Sequence, residues 1–348
     1  MVKLRFTRIR WFRLHSWGGL SFALLLIFVL FTGTIATISI DLYWLSKPAL
    51  RASKTKGSGS FPWATCYYNA QDTYPDVEVT SIYTPKAPWF AAEGVAVNRG
   101  DLPLAGASKG ERFRIYFHPE TGVVQGIGSW YTWQVFFRKT HRHLMIPVKW
   151  GVTIVGLLSF PLLLSLISGI KIYRKWWRSF FLNPWAKPVL TALENRVSER
   201  RFWGNAHRWL GVWSLWFVLL IALTGIWYLV EQWGLGVRYP PTPSAFPAKS
   251  GDPFASREGI EKIIATTSRL YPELEIRRIR FDAGDGLIFV SGQAQAKLVR
   301  DRANQITFDG FTGEPVQKRK GEDLSLHMRI SEAADPLHFG YWGGNLTR

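Results

Sequence analysis

Two stretches decide how this chain folds: His15-Ser-Trp-Gly-Gly-Leu-Ser-Phe-Ala-Leu-Leu-Leu-Ile-Phe-Val-Leu-Phe-Thr-Gly33 and His207-Arg-Trp-Leu-Gly-Val-Trp-Ser-Leu-Trp-Phe-Val-Leu-Leu-Ile-Ala-Leu-Thr-Gly225. Each opens with His-x-Trp-x-Gly and reaches a Thr-Gly pair 17 residues after its histidine. The chain therefore repeats itself, and the repeated piece is apolar all round, as a helix in lipid must be. Charge-free runs cover Ser16–Ile40, Trp150–Ile170 and Trp209–Val230, of 25, 21 and 22 residues. A bilayer needs about 20 helical residues, so three membrane spans are predicted.

Charge sets the orientation. The chain is 348 residues long with a net charge of +18, and residues 1–15 and 171–208 supply +12 of it. Short basic segments stay in the cytoplasm. The N-terminus (1–15) and the 171–208 loop are thus expected inside, joined by spans at 16–40, 150–170 and 209–230. Segments 41–149 and 231–348 are expected outside. Basic residues that flank spans do not form a nucleic-acid-binding face. A single cysteine excludes a disulfide framework, a cysteine-held iron–sulfur cluster and a Cys-x-x-Cys-His haem attachment.

The outer segments repeat too. Tyr74-Pro-Asp-Val-Glu-Val79 matches Tyr271-Pro-Glu-Leu-Glu-Ile276 at an offset of 197, and His141 matches His338 at the same offset. Each reads as a small α+β module. In the second, Ile260, Ile263, Ile264 and Leu270 give a helical stripe across about 256–270, stopped by Pro272. Alternating runs at Glu275–Phe281 and Leu287–Val290 follow, separated by the turn residues 283–286. Linkers are expected at 57–60 and 239–243. In the first half the module leads into a span, so a fourth span is expected beyond the C-terminus. The predicted fold class is a membrane α-helical bundle with two duplicated periplasmic α+β modules.

These pieces resemble the PepSY-associated transmembrane family of bacterial inner-membrane proteins. The matching residues are the His-x-Trp-x-Gly openings with Thr-Gly, the Tyr-Pro-Asp and Tyr-Pro-Glu modules, Leu166-Ile-Ser-Gly-Ile-Lys-Ile-Tyr-Arg-Lys-Trp176, His141-Arg-His-Leu and Leu337-His-Phe-Gly. Within the family the chain is most similar to siderophore-linked ferrioxamine reductases. The resemblance implies PepSY-like modules, haem in the membrane and reduction of ferric siderophore on the periplasmic side.

A haem held in a bundle takes an imidazole from each of two facing helices at similar depth. His15 with His207 at the inner end, and His141 with His338 at the outer end, meet that condition, giving two b-type haems. His143 is a competitor for the outer position. The plainer reading of all four is interfacial histidines bonded to headgroups or backbone. His118 reads as a turn residue, and His327 has no counterpart. Trp11, Trp17, Trp44, Trp176, Trp177, Trp203, Trp209 and Trp233 fall near span ends as an interfacial belt. Thr32-Gly33, Ser168-Gly169 and Thr224-Gly225 allow close helix approach, and Pro161 predicts a kink. Trp130, Tyr131 and Trp133, with Phe136 and Phe137, are candidates for receiving a ferric chelate or for docking a module on lipid.

The resulting expectation is an electron conduit that takes electrons from an unknown donor and reduces a ferric siderophore or another ferric chelate. Two alternatives stand beside it. A membrane-anchored regulator of a periplasmic peptidase or sensor predicts no haem. A transporter of metal or siderophore predicts charged groups at mid-span, where these spans offer only Ser, Thr and Gly.

Overall fold

A computed structural model describes residues 8–52, 60–181, 195–236, 238–241, 257–282 and 285–341. The expected linkers, the middle of the 171–208 loop, the 283–286 turn and residues 342–344 lie wholly or partly outside the described residues. The helices, in chain order, are α1 (Arg8–Leu20), α2 (Ala23–Ser46), α3 (Trp63–Thr73), α4 (Trp133–His143), α5 (Val148–Leu157), α6 (Ser159–Ile172), α7 (Asn195–Trp213), α8 (Leu215–Val230), α9 (Arg257–Leu270) and α10 (Leu326–Phe339). The strands are β1 (Val77–Tyr83), β2 (Ala92–Asn98), β3 (Arg112–Phe117), β4 (Val124–Ser129), β5 (Glu275–Asp282), β6 (Leu287–Gln293), β7 (Asn304–Asp309) and β8 (Pro315–Arg319). The chain divides into a helical unit, Met1–Gly33 with Lys139–Gly236, and a sheet unit, Thr34–Arg138 with Val237–Arg348.

Among the described residues three segments are long and apolar enough to cross a membrane: Ala23–Ser46, Val148–Ile172 and Leu215–Leu235. Their boundaries differ from the charge-free runs for local reasons. His15-Ser-Trp-Gly-Gly19 lies on the separate helix α1, and the chain turns at Ser21–Phe22 before α2 begins. The same break recurs at Ser214, between α7 and α8. The second span is interrupted at Leu158. Pro161 has no N–H to give the Leu157 carbonyl, so the break falls where that bond would be. The third span ends in a wide turn over Glu231–Leu235 that carries Gly234 at φ 91°. Along α2, Leu24, Ile27 and Phe31 are exposed, as lipid-facing side chains are.

In the sheet unit, a helix followed by a four-stranded meander occurs twice. The two meanders join edge to edge into one antiparallel sheet of order β4-β3-β2-β1-β5-β6-β7-β8. At the joint Ser81 pairs with Arg280, Ile82 with Ile279 and Tyr83 with Arg278. Ile82 and Ile279 are 197 apart, the offset already read between Tyr74 and Tyr271, so the joint is locally two-fold. Joining also removes two sheet edges that would otherwise be open for aggregation.

α3 and α9 cover one face. Trp63, Cys66, Tyr67, Ala70, Ile260 and Ile263 pack on Ile82, Ile115, Ile279, Val290, Ile306 and Phe308 in a single core. Each buried Ile or Phe stabilises by about 1.5–3 kcal/mol relative to exposure. Burial pushes the Cys66 thiol up to about 12, so it packs and does not react. The alternate residues of β3 and β5 carry arginines instead: Arg114 stacks on Trp130, Arg278 on Tyr83 and Arg280 on Phe289.

Candidate functional site

The helical unit brings His15 and His207 together. Their ring centroids lie 5.8 Å apart, with the planes inclined by 73°. Two imidazoles on opposite sides of one metal, each nitrogen about 2 Å from it, place their centroids roughly 6 Å apart. The observed spacing fits that arrangement.

His15 is oriented by α6. Its Nδ1 lies 2.9 Å from the Ser165 carbonyl and 3.1 Å from Ser168 Oγ. A carbonyl only accepts, so Nδ1 carries the proton and donates, which leaves the Nε2 lone pair as the ligating position. Gly169 lets the ring come close: a Cβ there would lie 3.4 Å from His15 Cε1. The Ser165 hydroxyl, packed beside Gly18, is buried and has no hydrogen-bond partner.

His141 repeats this arrangement on another helix. Its Nδ1 lies 2.8 Å from the Val29 carbonyl of α2. A Cβ at Gly33 would lie 2.8 Å from His141 Cε1 and Nδ1, so only glycine fits. In both places the accepting carbonyl sits three residues before a Ser or Thr and four before a Gly. In both places the hydroxyl bonds back along its own helix, Ser168 to Leu164 and Ser165 carbonyls, Thr32 to those of Phe28 and Val29. Thr224-Gly225 is a third copy, with Thr224 donating to the Leu220 and Ile221 carbonyls. The sequence reading took these pairs for helix packing. It missed the Ser165 and Val29 carbonyls that they frame, because a backbone acceptor leaves no mark on residue type.

The other histidines sit elsewhere. His143 is half-buried and closes the end of α4 through the Ile146 carbonyl at 2.8 Å. Leu144 and Met145 take positive φ there, at 55° and 59°. His118 accepts from the backbone N–H groups of Glu120 and Thr121, as a turn residue does. His327 is exposed near the start of α10, and His338 lies in its last turn. His338 and His141 belong to different units. Of the aromatic candidates, Trp130 packs beneath Arg114 and Arg112, whereas Tyr131 and Trp133 are 72% and 66% exposed.

Among the described residues no group of three or more His, Cys, Asp or Glu gathers as a metal cage. Two imidazoles alone are too few to hold a bare metal, but they suffice for haem, whose macrocycle completes the coordination sphere. The paired rings, the fixed tautomer of His15, the small residues at its edge and the orphaned Ser165 hydroxyl all fit that group.

No curated protein matches the chain. A family model described as PepSY-associated TM region matches residues 12–348. A match over nearly the whole length shows the family: the chain is a membrane protein belonging to the PepSY-associated TM region family.

Proposed function

We propose that this protein is a b-type haem electron conduit of the bacterial inner membrane that reduces ferric chelates, siderophores among them, on the periplasmic side. The observation that carries the reading is the His15–His207 pair, 5.8 Å between centroids, with His15 locked by the Ser165 carbonyl. Haem, when bound, supplies a one-electron carrier. The chain's own residues do the rest. His15 and His207 would hold the inner group, and the Ser165 carbonyl fixes which His15 nitrogen is free to face it. His141, tied to the Val29 carbonyl, would be a ligand of the outer one. Charge-free spans keep water and ions from the path. Ferric iron bound by hard oxygen donors takes one electron, becomes Fe(II), and is held far more weakly, so reduction releases it. The repeated meander and the offset of 197 support an internal duplication, which accounts for two ligand pairs.

The visible spectrum of the detergent-purified protein, oxidised and dithionite-reduced, tests this. Sharp reduced α and β bands with two haems per chain are expected. A colourless protein purified from haem-replete cells overturns the reading and leaves the anchored regulator.

A second expected result concerns Gly33. Gly33→Val puts side-chain atoms where the His141 ring lies, so haem per chain falls from two towards one while the His15–His207 group stays. Haem quantification on purified variant and wild type checks it.

A further inference from the structure

At the free end of the first meander a preformed hollow of about 210 Å³ is lined by Arg112, Ser129, Trp130, Tyr131, Glu111 and the Gly106–Ala107 backbone. Its walls are pinned before any ligand arrives. Leu104 and Ala107 exchange both backbone hydrogen bonds across a tight turn, 3.1 and 2.8 Å. The turn holds Ala105 at φ 51° and Gly106 at φ 79°, the left-handed pair that a two-residue hairpin of this twist requires. A non-glycine residue there is strained, and such strain persists only where its surroundings impose it. Asn98 imposes it, donating from Nδ2 to the Ala107 and Leu102 carbonyls at 3.0 and 2.8 Å. On the opposite wall the Tyr131 N–H donates to Ser129 Oγ at 3.1 Å, fixing the turn that presents Trp130 and Tyr131. Arg114 lies 4.8 Å from the Trp130 centroid and is itself held by Glu93.

Charge in this hollow is not balanced in the same way throughout. Arg114 is committed to Glu93, and Glu111 accepts from the Ser108 N–H at 2.8 Å. Arg112 is exposed, 5.9 Å from the Trp130 centroid, and among the described residues it forms no ion pair with a carboxylate. An indole beside a guanidinium with no carboxylate of its own offers a flat stacking surface next to a planar, two-pronged anion receptor. The volume is below the 300–1,000 Å³ of drug-sized pockets, leaving room for one substituted ring.

We infer that this hollow binds a planar aromatic anion, a catecholate or salicylate-type ring, stacked on Trp130 with its carboxylate or catecholate oxygens on Arg112. The role follows from the ferric-chelate reading, on which this inference rests: the hollow selects chelates with aromatic anionic arms over neutral hydroxamates. Its binding chemistry is independent of haem.

The test is calorimetric titration of the full-length protein in detergent with iron-free 2,3-dihydroxybenzoate, alongside neutral acetohydroxamate. Saturable binding of dihydroxybenzoate and none of acetohydroxamate is expected. Arg112→Gln and Trp130→Leu weaken binding at least tenfold, and Arg112→Lys recovers part of the loss. Glu111→Gln, which removes the neighbouring negative charge, tightens binding, a gain that misfolding cannot mimic. Absence of binding at millimolar ligand, or equal affinity in wild type, Arg112→Gln and Glu111→Gln, overturns the inference. The haem spectrum of the same samples separates the two readings: an intact spectrum without dihydroxybenzoate binding removes this site alone, and binding by a colourless protein removes the conduit alone.

Discussion

On the haem reading proposed above, replacing His207 with alanine is expected to remove one haem per chain and to leave the protein folded. His207 is exposed on α7, and its neighbour across the site is the His15 ring. Truncating an exposed side chain of this kind costs within about 0.5 kcal/mol of stability. Loss of one of the two imidazoles would be of a different order, because both would be needed to hold the group. His15→Ala has the same spectral result but also forfeits the bond to the Ser165 carbonyl, about 1 kcal/mol, so His207 gives the cleaner experiment. His207→Met separates ligation from packing. A His/Met pair retains the haem and raises its potential relative to a bis-histidine pair. Redox titration of wild type and His207→Met, with haem quantified in His207→Ala, checks both. Two haems per chain in His207→Ala would remove His207 from the site.

The spans were legible because lipid imposes one rule along the whole length of a helix, the exclusion of charge. Their ends were less so. Nothing in the composition of Ser16–Phe22 separates α1 from α2, since residues on both sides of the turn are uncharged. Asp41 ended the apolar run in the sequence, yet α2 continues to Ser46, because a single acid near a span end can reach water. The strand at Glu275–Asp282 could be read from alternation, and the one at Leu287–Gln293 from its opening run of four apolar residues. Their union with the first meander could not. Ile82 and Ile279 pair across 197 residues, and alternation fixes which face a residue occupies without naming the strand beside it.

The candidate site was legible in its histidines and opaque in its supports. His15 and His207 stood out as repeat partners, and the fold brings their rings into contact range. The carbonyls of Ser165 and Val29, which set the imidazole tautomers, belong to residues with nothing unusual about them. What did show in the sequence was the Ser/Thr-Gly pair that follows each carbonyl. The glycine removes the side chain that would block the ring. The hydroxyl, bonded back to the preceding turn, adds no unmet polar group to the apolar surface.

Glu332→Gln lowers the stability of the sheet unit by about 3 kcal/mol, which for a unit of this size is a fall in Tm of roughly 6–12 °C. The Glu332 side chain is fully buried on α10 and collects its partners from two other segments. Arg300 Nε donates to Oε2 at 2.8 Å, Arg302 Nε to Oε1 at 3.0 Å, and the Tyr239 hydroxyl to Oε1 at 2.6 Å. A carboxylate meets this crowd of donors with oxygens only, whereas glutamine turns an NH₂ into it and removes the charge. Arg300 then keeps only Asp335 as a charged partner, and Arg302 is left beside a neutral group. Because their side chains remain 22% and 50% exposed, water relieves part of the cost, which places the effect at the low end of the 3–5 kcal/mol range for a broken buried pair. Burial alone would push the Glu332 carboxyl up, but the hydrogen bonds from Arg300 and Tyr239 and the nearby guanidinium charges hold it below its ordinary value. The sign follows: the contribution is fully present above the unfolded carboxyl value of about 4.3 and is lost as pH falls through the lower folded value. Wild type and Glu332→Gln therefore differ most near neutral pH and converge in acid, which melting curves across pH resolve. The same position in the first half is Val135, buried at 2% exposure, so this fold does not need a charge there. Glu332→Val nevertheless fails to copy the first half, because the arginines stay behind. Equal melting of wild type and Glu332→Gln at neutral pH would mean that the network only breaks even against its desolvation.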